Sequence, residues 1–130
     1  MLRKLVCTLF LTSLLAAASE PTEGTMANTC LPSAGIRFDL AGSNPLHLLY
    51  AYGTGYVLKP HTQIPVEVLT CTAAGRCSYT EQDVKATIVF DAIHKREATG
   101  DYTIFQPDGS KQQGSFKVVR KKQPKPFLCE

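Results

Sequence analysis

Apolar and polar residues alternate along most of the chain after Cys30, and this alternation predicts β-strands. In Asp83 to Asp91, DVKATIVFD, apolar residues recur at every second position from Val84 to Phe90, which is the period of a half-buried strand. No window of eleven or more residues carries a 3.6-residue apolar stripe. We therefore predict an all-β fold of about seven short strands, with the final hairpin counted as one unit. The predicted ranges are 35–40, 46–52, 56–59, 64–72, 77–81 and 84–90, followed by the hairpin of 97–106 with 111–120.

A second interpretation applies to residues 43–53. Ser43-Asn44-Pro45 can cap and open a short helix, because proline suits the first helical turn. Gly53 would end that helix after about two turns. We keep the strand as the main prediction and the helix as its alternative.

The sequence ATGDYTIFQPDGSKQQGSFKVV, residues 98–119, predicts a hairpin with Pro107, Asp108 and Gly109 as its loop. This register pairs Tyr102 with Gly114 and Gly100 with Phe116, so that each aromatic ring lies over a glycine of the neighbouring strand. It also pairs Gln106 with Ser110 and Ile104 with Gln112. Apolar side chains then share one face of the hairpin, which supports the same register.

Turn signals recur about every ten residues, a spacing typical of a small antiparallel β-sandwich or barrel. We predict a single β-rich domain over residues 30–130. Residues 19–29, SEPTEGTMANT, are polar and aperiodic, and we predict a flexible mature N-terminus there.

Residues 1–18 have the pattern of a secretory signal peptide: Arg3 and Lys4, an apolar run from Leu5 to Leu15, and the small residues Ala16, Ala17 and Ala18. The run is shorter than the ~20 residues of a spanning helix. We expect a secreted or periplasmic protein whose mature chain does not insert into a membrane.

The net charge argues against general nucleic-acid binding. The whole chain has 14 basic and 11 acidic residues, or +3. Removing Arg3 and Lys4 leaves 12 against 11, or +1, whereas general nucleic-acid binders are usually far more basic.

Four cysteines remain after residue 18, and their even number favours disulfides in an exported protein. Cys71 and Cys77 lack the paired spacing of a zinc site and the Cys-x-x-Cys spacing of a redox pair. If Ala73-Ala74-Gly75 is a hairpin loop, the two cysteines face each other within disulfide reach. We therefore predict a structural Cys71–Cys77 bond.

The remaining pair, Cys30 and Cys129, would then join the start of the folded region to its end. Such a link would anchor the basic, proline-broken tail RKKQPKPFLCE. Because it closes the longer loop, we expect Cys129→Ser to destabilise the protein more than Cys77→Ser.

Tyr50, Tyr52 and Tyr56 are the first binding candidates. If Gly53-Thr54-Gly55 is a hairpin turn, the three rings share one face and could stack on a sugar or anchor a protein partner. The alternative is that these rings pack in the core.

Arg76, in the disulfide-braced loop, is the next binding candidate. A braced loop loses little conformational entropy on binding, and the planar guanidinium of Arg76 fits a carboxylate. The alternative is a tight turn with a solvated arginine. The basic tail residues Arg120, Lys121, Lys122 and Lys125 could meet an acidic surface, although such runs are more often simply solvated.

Signals for catalysis are weak. Asp91, His94 and Glu97 are close in sequence, but no nucleophile with a recognisable setting accompanies them. We predict no enzymatic activity, no cofactor and no metal, and a monomer that binds one exported or envelope protein as an inhibitor, immunity or accessory module. The alternatives are a glycan- or small-ligand-binding module and, third, a small hydrolase.

Overall fold

The computed structural model describes residues 20–42, 44–55, 57–80, 83–125 and 127–129. Over these residues the fold is all-β, with one short 3₁₀ turn at Tyr52–Thr54. The strands are β1 (Thr22–Thr29), β2 (Gly35–Leu40), β3 (Leu46–Ala51), β4 (Gln63–Cys71), β5 (Cys77–Tyr79), β6 (Lys85–Ile93), β7 (Glu97–Phe105) and β8 (Lys111–Arg120). No helix among the described residues is long and apolar enough to cross a membrane.

Seven of the strands close into a barrel, in the order β1-β2-β3-β4-β6-β7-β8 and back to β1. All neighbouring pairs are antiparallel except β1 and β8, which run parallel. The eighth strand, β5, pairs with the end of β4. The predicted small disulfide-linked β-barrel is confirmed, with a parallel closure that the alternation did not predict.

Inward-pointing residues of every barrel strand form one apolar core. Phe38, Phe90 and Phe116 meet at its centre, with ring centroids 5.8 to 6.4 Å apart. No polar or charged side chain among the described residues is buried. The remaining members of the core are Met26, Ile36, Leu40, Leu48, Tyr50, Ile64, Val66, Ala86, Ile88, Ala98, Tyr102, Ile104 and Val118.

Three local predictions are wrong. Residues 22–29, predicted as part of a flexible N-terminus, form β1, in which Met26 and Ala27 are buried. The predicted strand at 56–59 is absent from its described part, residues 57–59. The alternative helix at 43–53 is also absent, because residues 46–51 form β3. The predicted signal peptide lies outside the described residues.

The β7–β8 hairpin has the register that its turn chemistry predicts. Tyr102 faces Gly114 and Gly100 faces Phe116. The Tyr102 ring covers the space where a Gly114 side chain would begin. Gly109 has a φ of 89°, in the left-handed region that favours glycine. A local turn and a cross-strand pattern therefore define this part of the barrel together.

Asp108 holds the turn through Ser110, whose hydroxyl and backbone N–H both donate to Asp108 Oδ1, at 2.6 and 2.8 Å. These bonds, the hydroxyl's first, lower the pKa of Asp108. A carboxyl whose pKa is lower in the folded state stabilises the fold above its unfolded pKa of about 3.9 and loses that effect as it is protonated. We expect Asp108→Asn to lower the melting temperature slightly at pH 7, with the difference from wild type shrinking below about pH 4. A difference that stays constant down to pH 2 would contradict this assignment.

Candidate functional site

Both disulfides lie on the same outer surface of the barrel. Cys30 bonds to Cys129, with Cα atoms 5.4 Å apart, and Cys71 bonds to Cys77, with Cα atoms 4.0 Å apart. Cys30 and Cys77 line one shared depression of about 780 Å³. Both predicted pairings are confirmed, and two bonds of this kind are typical of an oxidising, extracytoplasmic environment.

The Cys71–Cys77 hairpin is braced at several points. The Thr72 N–H donates to the Arg76 carbonyl at 2.8 Å, and the Gly75 N–H donates to the Thr72 carbonyl at 2.9 Å. The Thr72 hydroxyl also accepts the Arg76 N–H at 3.2 Å. Gly75 has a φ of 85°, as its predicted left-handed position requires. This loop therefore presents its side chains from a fixed backbone.

Arg76 lines the depression, and its side chain makes no hydrogen bond or ion pair with any residue that the structure describes. Three large apolar residues lie within two positions of Cys30 or Cys129 in the sequence, and two of them, Leu31 and Phe127, line the same depression. Leu31 is 74% exposed, Leu128 75% and Phe127 36%. We call this surface, made of Leu31, Arg76, Phe127 and Leu128 with the two disulfides, the disulfide face.

Beside the disulfide face, Asp39 links Arg37 and His47. Arg37 Nε donates to Asp39 Oδ2 at 3.1 Å, and His47 Nδ1 lies 2.6 Å from Asp39 Oδ1. Arg37 Nη1 also reaches the Cys77 sulfur, at 3.5 Å. Sequence reasoning missed this cluster, although pairing the predicted strands 35–40 and 46–52 places Asp39 opposite His47.

The Asp39–His47 pair lines a groove of about 520 Å³ with Thr70 and Thr72. Both threonine hydroxyls already have partners: Thr80 for Thr70, at 3.0 Å, and the Arg76 N–H for Thr72. No hydroxyl or thiol among the described residues hydrogen-bonds to His47. The pair therefore orients an imidazole but has no nucleophile in contact with it. The described residues also contain no group of three or more His, Cys, Asp or Glu placed to hold a metal ion.

The tyrosine candidates do not form a common exposed face in the described residues. Tyr50 is 5% exposed and belongs to the core, as the alternative interpretation predicts. Tyr52 is 54% exposed because β3 ends at Ala51 and the chain turns into the 3₁₀ segment. Its hydroxyl donates to Asn28 Oδ1 at 2.8 Å. Tyr56 lies outside the described residues.

The weaker catalytic candidates lie around the β6–β7 connection: Asp91 is in β6, His94 is in the connection and Glu97 is the first residue of β7. The His94 N–H donates to the Glu97 carbonyl at 2.8 Å, and the Glu97 carboxylate lies 3.9 Å from Lys117 Nζ. No hydrogen bond joins the Asp91 and His94 side chains in the described part of the chain. Of the segment DAIHKRE, only residues 94–96 form an exposed charged connection, and the rest belongs to β6 and β7.

Comparison of the chain with models of known protein families, with curated proteins and with solved structures finds no match.

Proposed function

We propose that this protein is an exported, non-enzymatic binding module that recognises a protein partner through its disulfide face. One observation carries the proposal: the exposed residues Leu31, Phe127 and Leu128 adjoin the Cys30–Cys129 bond in sequence. Leu31 and Phe127 also share a depression with Arg76, whose side chain pairs with no residue that the structure describes. Aromatic residues and arginine are enriched at protein interfaces, and the buried centre of an interface is more apolar than the rest of the surface.

The rigidity of this surface favours binding. The chain segments that carry it are held by covalent links at Cys30, Cys77 and Cys129. The loop between Cys30 and β2 is held further, because the Ser33 hydroxyl contacts the Tyr79 hydroxyl of β5. A surface already ordered before association loses less conformational entropy in the complex.

The alternative functions have less support. A glycan platform of three tyrosines would need Tyr50, but Tyr50 is buried. Of the two candidate tyrosines that the structure describes, only Tyr52 is exposed enough to stack on a sugar. A hydrolase would need a nucleophile beside His47 or His94, and none contacts either ring in the described residues. The protein-partner function therefore ranks first.

Affinity capture tests the proposal. The immobilised, oxidised protein is exposed to envelope extract and culture medium of its source, and we expect one protein to be retained near one-to-one. Arg76→Ala and Leu128→Ser should each weaken its binding on the order of tenfold or more, as interface hot spots do. Lys85→Ala and Val57→Ser are the matched controls, because both residues are exposed and neither lines the depression.

Hydrogen exchange of the captured complex locates the contact. We expect protection of residues 72–76 and 127–129. Retention that is unchanged by Arg76→Ala and Leu128→Ser, or protection confined to other strands, would overturn the proposal. Retention of no protein at all would also count against it.

A further inference from the structure

A second surface, separate from the disulfide face, concentrates positive charge. Six side chains line a groove of about 800 Å³ at the end of β8: Lys95, Arg96, Arg120, Lys121, Lys122 and Lys125. All six are exposed. They are six of the 14 basic residues in a chain whose net charge is only +3. We call this surface the basic groove.

The basic groove joins two parts of the chain that are distant in sequence. The β6–β7 turn supplies Lys95 and Arg96, and the end of β8 with the tail after it supplies the others. The Arg120 N–H donates to the Arg96 carbonyl at 2.7 Å, which fixes the turn against the tail. The Lys121 N–H donates to the Met26 carbonyl at 2.9 Å.

The tail is anchored again at Gln123. Its side-chain amide accepts the Asn28 N–H and donates to the Asn28 carbonyl, both at 2.9 Å. Lys125 then lies between this anchor and the disulfide at Cys129. The like charges are therefore held together by backbone and covalent links, even though their mutual repulsion opposes such an arrangement.

No carboxylate among the described residues lies within ion-pairing distance of these six cations; the ion pairs there are Arg37–Asp39, His47–Asp39 and Lys117–Glu97. A cluster of unpaired cations in a recess attracts an anion that brings several negative charges at once. We propose that the basic groove binds an extended anionic polysaccharide, with sulfate or carboxylate groups spaced along its chain.

The shape and lining of the groove favour a polysaccharide over other polyanions. Single-stranded nucleic acids are held by aromatic rings on which bases stack, and the lining contains no aromatic residue. A recess suits a narrow flexible chain, whereas a bilayer surface would meet only the cations at its rim. Val119, which also lines the groove and is 49% exposed, offers the apolar contact that a sugar ring can use.

The test is calorimetric titration of the oxidised protein with a heparin-derived octasaccharide and an oligogalacturonate of equal length, from 50 to 200 mM NaCl. We expect binding of the sulfated chain, with a dissociation constant that rises steeply with salt. Binding of both chains would mean that carboxylates suffice, and binding of the heparin chain alone would assign the site to sulfate. The slope of log Kd against log salt is proportional to the number of ionic contacts.

Neutralising two groove residues, in Lys95→Gln/Lys122→Gln, should lower that slope by about a third and weaken binding roughly tenfold at 50 mM NaCl. The matched control is Lys85→Gln/Lys111→Gln, which removes the same charge from exposed lysines at the other end of the same strands. The control should bind as wild type does.

Two results would overturn the proposal directly: no binding of either polysaccharide, or equal losses of affinity in the groove and control variants. Tighter binding to phosphatidylglycerol vesicles, or to a single-stranded DNA of about 20 nucleotides, would overturn it as well. Circular dichroism of every variant checks folding. Because the groove and the disulfide face carry different variants, failure of this proposal leaves the protein-capture result unaffected.

Discussion

Replacing Cys30 and Cys129 together with serine should lower the free energy of unfolding by about 4.7 kcal/mol, against about 2.4 kcal/mol for Cys71 and Cys77. The two bonds differ in the loop that they close, with sequence separations of 99 and 6 residues. The longer cross-link removes more conformations from the unfolded chain. Since domains are stable by about 5 to 15 kcal/mol in total, loss of the long link should leave the fold marginal.

Urea denaturation of the two double-serine variants measures the difference. Both variants remove a whole bond, so neither leaves one of these four cysteines without its partner. We expect a clearly lower midpoint for the Cys30–Cys129 variant. Equal midpoints would show that loop length does not decide the contribution of these bonds.

The same disulfide also connects the two proposed binding surfaces. The tail carries Lys121, Lys122 and Lys125 in the basic groove and then Phe127 and Leu128 on the disulfide face. Gln123 anchors its first part to β1 without help from the bond. Loss of the bond should therefore release Phe127 and Leu128 fully but Lys121 only in part, so that protein capture is affected more than polysaccharide binding.

Features set by local sequence could be predicted. The hairpin loops at Gly75 and Gly109 need a left-handed residue, and each glycine fixes the register of the strands beside it. The alternation in β6 predicts its buried face, because side chains of a strand point alternately to opposite sides. Both disulfides followed from this register and from the count of cysteines.

Features set by distant contacts could not be predicted in the same way. Strand β1 has a polar sequence, and what makes it a strand is its place between β2 and the parallel β8. Its partners in β8, such as Phe116 opposite Thr22, are more than 90 positions away along the chain. An alternation pattern within one segment contains no information about such a partner.

The residues of the candidate sites also divide into those set by local sequence, which could be predicted, and those set by distant contacts, which could not. Arg76 was predicted because its loop is local. Two of the six cations of the basic groove were missed, because Lys95 and Arg96 reach the end of β8 and the tail only when the barrel closes. The assumed common face of Tyr50 and Tyr52 failed because the strand ends between them, so alternation no longer applies to the second ring.

Phe116→Ala should strongly destabilise the core, lowering the free energy of unfolding by about 3 to 5 kcal/mol. Phe116 is 2% exposed. Its ring packs edge-on against Phe90, with ring centroids 5.8 Å apart, and at a tilt against Phe38, with centroids 6.4 Å apart. Phe116 of β8 therefore connects Phe90 of β6 with Phe38 of β2 across the barrel. It also covers Gly100, which has no side chain to fill the space.

Phe105→Ala is the matched control, because Phe105 lies on the same hairpin but is only partly buried. Its ring meets the Lys111 ammonium at 5.7 Å on the outer surface, a contact that contributes about 0.5 to 1 kcal/mol when exposed. We expect the urea midpoint to fall much further for Phe116→Ala than for Phe105→Ala. Similar losses for the two variants would mean that the aromatic cluster is not the centre of the core, and that the barrel depends mainly on its backbone pairing and its long disulfide.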